Sequence, residues 1–267
     1  MPKRTETSWG GVADWYARHL FGEKRTYHET VIRPNLLRLL ALKPGETVLD
    51  LACGPGYFAR EFVRAGARVL AVDVSAESLA LGQKAMATEP AAAAVAWHEA
   101  AADRLPFVAD RSVDAAAVVL ALQNIENVPG VFKECARVLK PGGRLAVVLN
   151  HPCFRVPQDS AWGWDRGGQY RRVDRYLTET KTKIQAHPGS DPGLTTVSFH
   201  RPLQYFFKGL TKAGLAVTGL EEWISDRVSD SGPRAPAENR ARKEIPLFLC
   251  LLAEIRPAAS QLRKKPL

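Results

Sequence analysis

No apolar run in this 267-residue sequence approaches the roughly 20 residues that a bilayer-spanning helix needs. The first residues, Met1-Pro2-Lys3-Arg4-Thr5-Glu6, lack the apolar segment of a secretion signal. Both absences argue against a membrane or secreted protein, and a cytoplasmic location is expected. Cysteine is sparse: Cys53, Cys135, Cys153 and Cys250 lie far apart and none forms a CxxC pair, which argues against a zinc site. Buried free thiols are expected for Cys53, Cys135 and Cys250. Cys153, just after His151-Pro152, is the one placed to face a pocket. There is no internal repeat and no appended RNA-binding module. Acidic residues are outnumbered, leaving a formal charge of +9. That charge admits a nucleic-acid partner. Arg and Lys are nevertheless spread along the whole chain, and the one compact run, Arg263-Lys264-Lys265, falls in a Pro-containing tail, so a generic basic surface accounts for the charge as well.

What is present is alternation. After an aromatic-rich segment at residues 7–33, expected to form one or two amphipathic helices, a helix runs through Asn35–Leu40 and ends at Lys43-Pro44-Gly45. Strands are expected at Thr47–Leu51, Arg68–Asp73, Val95–His98, Val113–Leu122 and Arg144–Asn150. Helices are expected at Tyr57–Ala65, Ser75–Ala87, where Ser75 is the N-cap, and Val128–Leu139. Strands alternating with helices imply an α/β fold, a parallel sheet with helices on both faces. From His151 to His200 no period is sustained, and a segment of that length is expected to be a lid or binding loop. A helix at Pro202–Ala213 and strands at Ala216–Glu221 and Pro246–Ile255 follow, with a polar, mobile stretch at Ser225–Arg242 between the strands. The expected division is a helical cap (1–44), a cofactor-binding core (45–150), an inserted lid (151–200), the rest of the core sheet (201–256) and a basic tail (257–267).

The chemistry concentrates in Val48-Leu49-Asp50-Leu51-Ala52-Cys53-Gly54-Pro55-Gly56, where an apolar strand runs through an acid into a loop of small residues. Small residues let backbone approach a ligand without an intervening Cβ. The second strand ends in Asp73, beside that loop, where a carboxylate can hold a ribose diol. The third position of the GxGxxG fingerprint holds Ala59; a pyrophosphate-binding turn remains open at this point, as does a phosphate-free nucleoside with an amino-acid tail. Asp50 has the alternative of capping the turn that follows it.

Four motifs occur in order over about residues 45–150: the loop just given, Ala71-Val72-Asp73-Val74-Ser75, Leu105-Pro106-Phe107 followed by Ser112-Val113-Asp114, and Arg137-Val138-Leu139-Lys140-Pro141-Gly142-Gly143. Together they resemble the class I S-adenosylmethionine-dependent methyltransferases, and more narrowly the group that includes the ubiquinone/menaquinone-biosynthesis enzymes. The resemblance implies a Rossmann-like, seven-stranded, mostly parallel sheet whose last strand inserts antiparallel. It implies S-adenosyl-L-methionine as cofactor, S-adenosyl-L-homocysteine as product and no metal. It further implies that the loop from Asp50 through Ala52, Cys53 and Gly54 to Gly56 lies under the methionine part. Asp73 would take both ribose hydroxyls, Val74 would pack on adenine, Ala102 and Asp103 would sit near the adenine edge, and Gln123 would approach the methionine carboxylate or the sulfonium. Two positions depart from the family pattern: Ala52 stands where Gly is frequent, and Ala101 where many members carry an Asp toward the adenine amino group.

On the acceptor side, a sulfonium is already activated, so positioning, worth about 7–11 kcal/mol, matters more than a catalytic residue. If a general base exists, His151 is the first candidate, because it follows the fifth strand at the sheet edge where ligands bind; the alternative is that it orients a loop by hydrogen bonding. His200 either faces the same cavity or makes a hydrogen bond at the start of a helix. Trp162, Trp164, Tyr170 and Tyr176, beside Arg166, Arg171, Arg172 and Arg175, read as an aromatic-walled acceptor pocket, a stacking surface for unpaired RNA bases, or packing of the insertion onto the N-terminal helices. Tyr27 would complete the acceptor pocket from the N-terminal side. The leading expectation is methyl transfer to oxygen, nitrogen or carbon of a small organic acceptor by a monomer or homodimer; the alternatives are an RNA methyltransferase and a non-catalytic nucleoside-binding protein.

Overall fold

The structure, a computed structural model, describes residues 9–22, 25–166, 168–185 and 195–255. The opening hexapeptide and the basic tail, with Arg263-Lys264-Lys265, lie outside the described residues. After a 3-10 turn at Gly10–Val12, the described elements run α1 (Ala13–Phe21), a π-helical turn at His28–Ile32, α2 (Arg33–Leu40), β1 (Thr47–Leu51), α3 (Tyr57–Arg64), β2 (Arg68–Asp73), α4 (Ala76–Met86), β3 (Val95–Glu99), β4 (Val113–Val119), α5 (Val128–Val138) and β5 (Leu139–Asn150). Then come β6 (Ser160–Asp165), β7 (Gly168–Val173), β8 (Thr180–Gln185), β9 (Thr195–His200), α6 (Leu203–Lys212), β10 (Leu215–Trp223), α7 (Ala235–Glu244) and β11 (Phe248–Ile255).

Seven strands form one sheet in the order β10-β11-β5-β4-β1-β2-β3. The pairs β1–β2, β1–β4, β2–β3 and β4–β5 are parallel, and β11 runs antiparallel to both β5 and β10. This is the expected mixed topology, with the antiparallel strand inside the sheet and not at its rim. Strand β1 is central and four of its five residues are buried, as a strand covered on both faces must be. Alternation sorts its side chains: Leu49 and Leu51 join Val131, Phe132 and Leu210 from α5 and α6, whereas Val48 joins Leu36, Phe58 and Phe62 from α2 and α3. Ser75 caps α4 as expected, its hydroxyl accepting from the Ser78 amide at 3.1 Å.

Three expectations need correction. The stretch from His151 to His200 is not without elements: β6 and β7 form one antiparallel hairpin and β8 and β9 another. These ribbons carry almost no buried apolar face, as in Thr180-Lys181-Thr182-Lys183, so the alternation that identifies half-buried strands is absent. The polar stretch at 225–242 is not uniformly irregular, since α7 begins at Ala235 with a proline at its first turn. Strand β4 stops at Val119 because Leu120 turns into the left-handed region (φ 51°), and Leu122–Asn124 forms a 3-10 turn.

Candidate functional site

The carboxyl ends of β1, β2 and β4 open into a cavity of about 540 Å³. Its floor is the loop after β1. Ala52, Gly54 and Gly56 all have positive φ, 57°, 55° and 75°, so the chain curls tightly. Glycine takes this conformation at no steric cost, while Ala52 carries a penalty of about 1–2 kcal/mol. A Cβ added to Gly54 would lie 3.6 Å from the Tyr16 ring, inside the cavity wall.

Asp73 ends β2 and fixes this loop. Its Oδ2 accepts the Gly54 amide at 2.8 Å and its Oδ1 accepts the Ser75 amide at 2.9 Å. Burial pushes its carboxyl above the usual range, against the backbone amides that pull it down. The carboxylate is thus oriented by its own backbone and keeps lone-pair capacity to accept from a ligand. Asp50 lies deeper. It is almost fully buried, accepts one backbone amide from Ala59, and its Oδ2 has no hydrogen-bond partner. Burial raises its carboxyl to about 7, with Asp73 adding to the effect. The same burial and the two acids push the Cys53 thiol well above its ordinary value, so it is an inert wall group and no nucleophile.

The structure gathers most of the expected cofactor residues. Asp50, Ala52, Cys53, Gly54, Asp73, Val74, Ala102 and Asp103 all line the cavity. Asp103 also accepts from Asn127 Nδ2 at 2.6 Å. Gly56 and Gln123 are not among the lining residues. A Cβ at Gly56 would collide with the Trp97 ring, so this glycine serves close packing of loop against strand. Gln123 turns away to donate to the Leu120 carbonyl at 2.7 Å.

The rest of the cavity lining differs from expectation. Its walls are Ile125 and Glu126 after β4, Lys181, Val197 and Phe199 from the β8–β9 hairpin, and Trp9, Ala13, Tyr16, Leu20 and His28 from the N-terminal segment. The spacing 9, 13, 16 and 20 is a helical stripe, a signal that could have identified this wall from sequence. Lys181 is held by Glu126 at 3.3 Å and lies 5.2 Å from the Phe199 ring centre. Tyr16 Oη and His28 Nε2 are 3.2 Å apart. Burial lowers His28 to about 4, and burial followed by Asp73 raises the Tyr16 phenol well above its usual value. At neutral pH the pair is therefore uncharged.

The expected acceptor residues are not brought to this wall. His151 is buried outside the cavity, with Nε2 2.6 Å from Glu222 Oε1 and Nδ1 accepting the Cys153 amide at 3.3 Å. Burial lowers its pKa despite that carboxylate. Both nitrogens are engaged within the chain, the loop-orienting alternative. His200 Nε2 is 2.7 Å from the Tyr176 carbonyl, directly before α6. Tyr27 hydrogen-bonds Ser225 Oγ at 2.7 Å and packs edge-on to Phe248. Trp162, Trp164 and Tyr170 belong to the β6–β7 hairpin; Trp162 and Tyr170 are exposed, and Arg234 at the start of α7 covers Trp164. The hairpin that reaches the cavity is the second, and the first packs toward α7.

The donor set suits S-adenosylmethionine. The loop leaves room where a Cβ would intrude, a strand-end carboxylate retains free lone pairs, and a buried carboxylate oxygen without a donor sits where an ammonium group would satisfy it. Among the described residues no group of three His, Cys, Asp or Glu side chains could hold a metal ion, and no helix is long and apolar enough to cross a membrane.

Comparison with known proteins agrees with this geometry. The family described as "Methyltransferase domain" matches residues 49–147. A demethylmenaquinone methyltransferase from Tropheryma whipplei is 37% identical over 116 residues, covering 43% of this chain and 46% of that protein. A ubiquinone/menaquinone biosynthesis C-methyltransferase from Paracoccus denitrificans is 38% identical over 129 residues, covering 48% and 50%. The chain thus spans about half the length of the curated relatives it matches. Among solved structures, an S-adenosylmethionine-dependent methyltransferase from Mesorhizobium loti superposes with a TM-score of 0.65 at 27% identity, covering 83% of this chain and 96% of that one. Through its sheet and the loop joining β1 to α3, the chain is similar to class I S-adenosylmethionine-dependent methyltransferases, including enzymes of the ubiquinone/menaquinone type.

Proposed function

We propose that this chain transfers a methyl group from S-adenosylmethionine to a small, flat, largely apolar organic acceptor. The observation that carries the reading is the continuity of one cavity from the Asp73–Gly54 pair to the Phe199 wall. The names of the curated relatives, which include quinone methyltransferases, support an aromatic ring of that general shape. When bound, the cofactor supplies an electrophilic methyl on a sulfonium. The chain's own residues bind, orient and exclude water. Asp73 holds the ribose hydroxyls, Val74 and Ala102 border the adenine, and Asp50 faces the ammonium end. Leu20, Ile125, Val197 and Phe199 clamp the acceptor ring and keep water out. The His28–Tyr16 pair, uncharged at neutral pH, offers one hydrogen bond to an acceptor oxygen without introducing charge into that space. No proton need pass through His151, so the reading requires no general base there.

The test follows tritiated methyl from S-adenosylmethionine into a metabolite extract and into total RNA, in parallel. Label is expected in the small-molecule fraction; label confined to RNA would overturn the acceptor assignment. Truncating Phe199 to Ala is expected to raise the KM for the labelled acceptor about ten-fold or more, the scale of removing a packed aromatic wall. Truncating Trp162, outside the cavity, is expected to leave KM within about two-fold.

A further inference from the structure

Outside the cavity lining, near Phe154 and Tyr27, lies a group of cations that the reading above does not use. Arg155 follows β5. It makes no ion pair or side-chain hydrogen bond among the described residues, and its Nε is buried without a partner. Arg171 on β7 sits beside it, donating from Nε to the Phe154 carbonyl at 2.8 Å and from an Nη to Ser160 Oγ at 2.8 Å. It too meets no carboxylate. Arg227, after β10, covers the Tyr27 ring at 4.5 Å and makes no ion pair among the described residues. The Trp162 ring forms a flat flank 5.3 Å from the Arg171 guanidinium. Two acids on the flanking segments are engaged elsewhere: Glu222 holds His151, and Asp159 faces Arg175 at 3.7 Å.

A guanidinium has five N–H donors in a fork suited to a planar or tetrahedral oxyanion. Leaving one partly buried, beside a second and with no counter-charge, is costly unless an anion arrives. The cost registers in Arg155 itself, whose pKa is held down to about 10 by burial first and Arg171 second. Three separate chain segments supply these cations, so the cluster is a product of the fold and not of local composition.

We propose that Arg155 and Arg171, with Arg227 over the Tyr27 ring, form a binding site for the oxyanion of a small molecule, a carboxylate or a phosphate group. It is distinct from the methyl-transfer cavity, whose lining includes none of these three arginines. The proposal is independent of the acceptor assignment, since it rests on no residue that lines the cavity.

The test measures thermal melting of the full chain in sodium phosphate and in sodium benzoate, each against sodium chloride at matched ionic strength. S-adenosylhomocysteine affinity is measured alongside by calorimetry. Wild type is expected to melt higher in at least one oxyanion than in chloride, and the larger of the two shifts distinguishes phosphate from carboxylate. Arg155→Met is expected to lose that shift, with apparent anion affinity falling about ten-fold or more. It is also expected to melt higher than wild type in chloride, because an uncompensated charge has been removed. Arg155→Lys, which keeps the charge but not the fork, is expected to show an intermediate shift. Equal anion shifts in wild type and Arg155→Met, or a lower melting point for Arg155→Met in chloride, would overturn the site. Unchanged S-adenosylhomocysteine affinity in both variants keeps that outcome separate from the cavity's function.

Discussion

Replacing Asp73 by Asn changes the site without changing its size, which makes the magnitude tractable. In the wild-type protein both carboxylate oxygens already accept a backbone amide, from Gly54 at 2.8 Å and Ser75 at 2.9 Å. The amide variant has one oxygen, so its NH₂ group must face one of those two donors. That mismatch exists with or without ligand and costs about 1–3 kcal/mol of fold stability. The affinity term is separate. Two ribose hydroxyls donating to a carboxylate make charge-assisted bonds, worth about 1.5–3 kcal/mol each against about 0.5–1.5 for neutral ones. Losing the charge therefore removes about 2–3 kcal/mol of binding, or about 30- to 150-fold in Kd. Isothermal titration with S-adenosylhomocysteine reads this directly, with far-UV circular dichroism confirming that the variant is folded. A folded Asp73→Asn protein whose affinity stays within about three-fold of wild type would refute the assignment of this carboxylate to the ribose.

Two further predictions concern the same loop. Gly56→Ala is expected to lower stability by about 2–5 kcal/mol, since it combines a left-handed backbone with a collision against Trp97. A melting temperature equal to wild type would show that the loop yields freely. Asp50 has a folded-state pKa of about 7 against an ordinary 3.8, so the folded protein holds a proton that the unfolded chain has lost. Stability is therefore expected to fall as pH rises between those two values and to level off above about 7. S-adenosylhomocysteine, whose ammonium favours the ionised acid, is expected to bind more tightly over the same rise. Asp50→Asn should flatten both profiles, and a wild-type melting temperature that climbs toward neutrality while the variant's follows the same curve would contradict the argument.

Much of the core was legible because its signals are local. Strand β1 is apolar on both faces and ends in small residues that only a tight loop requires; Asp73 closes the next strand at the same level. What sequence could not supply was long-range. Nothing near Trp162 says that its hairpin turns toward Arg234, or that Phe199, in a ribbon with little apolar character, completes a cavity wall. His151 carried the right chemistry at the right sheet edge, but Glu222, 71 residues away, takes its Nε2. Gly56 looked like a ligand contact, and only the tertiary position of Trp97 shows why the side chain must be absent. The stripe Trp9, Ala13, Tyr16 and Leu20 is the reverse case, a readable pattern whose destination became clear only once the chain folded back over the loop.

The placement of β11 between β5 and β10 has a kinetic consequence. Until residue 248 and those after it are available, β5 has one margin of unpaired backbone groups, from Arg144 to Asn150. Such a bare margin is a template for pairing with another chain. The last rung of the ladder joins Phe248 to Asn150, a closure between positions about a hundred apart in sequence, and closures of that span are slow. Refolding yield should accordingly fall as protein concentration rises, and a synthesis that stalls before β11 should leave a chain prone to self-association.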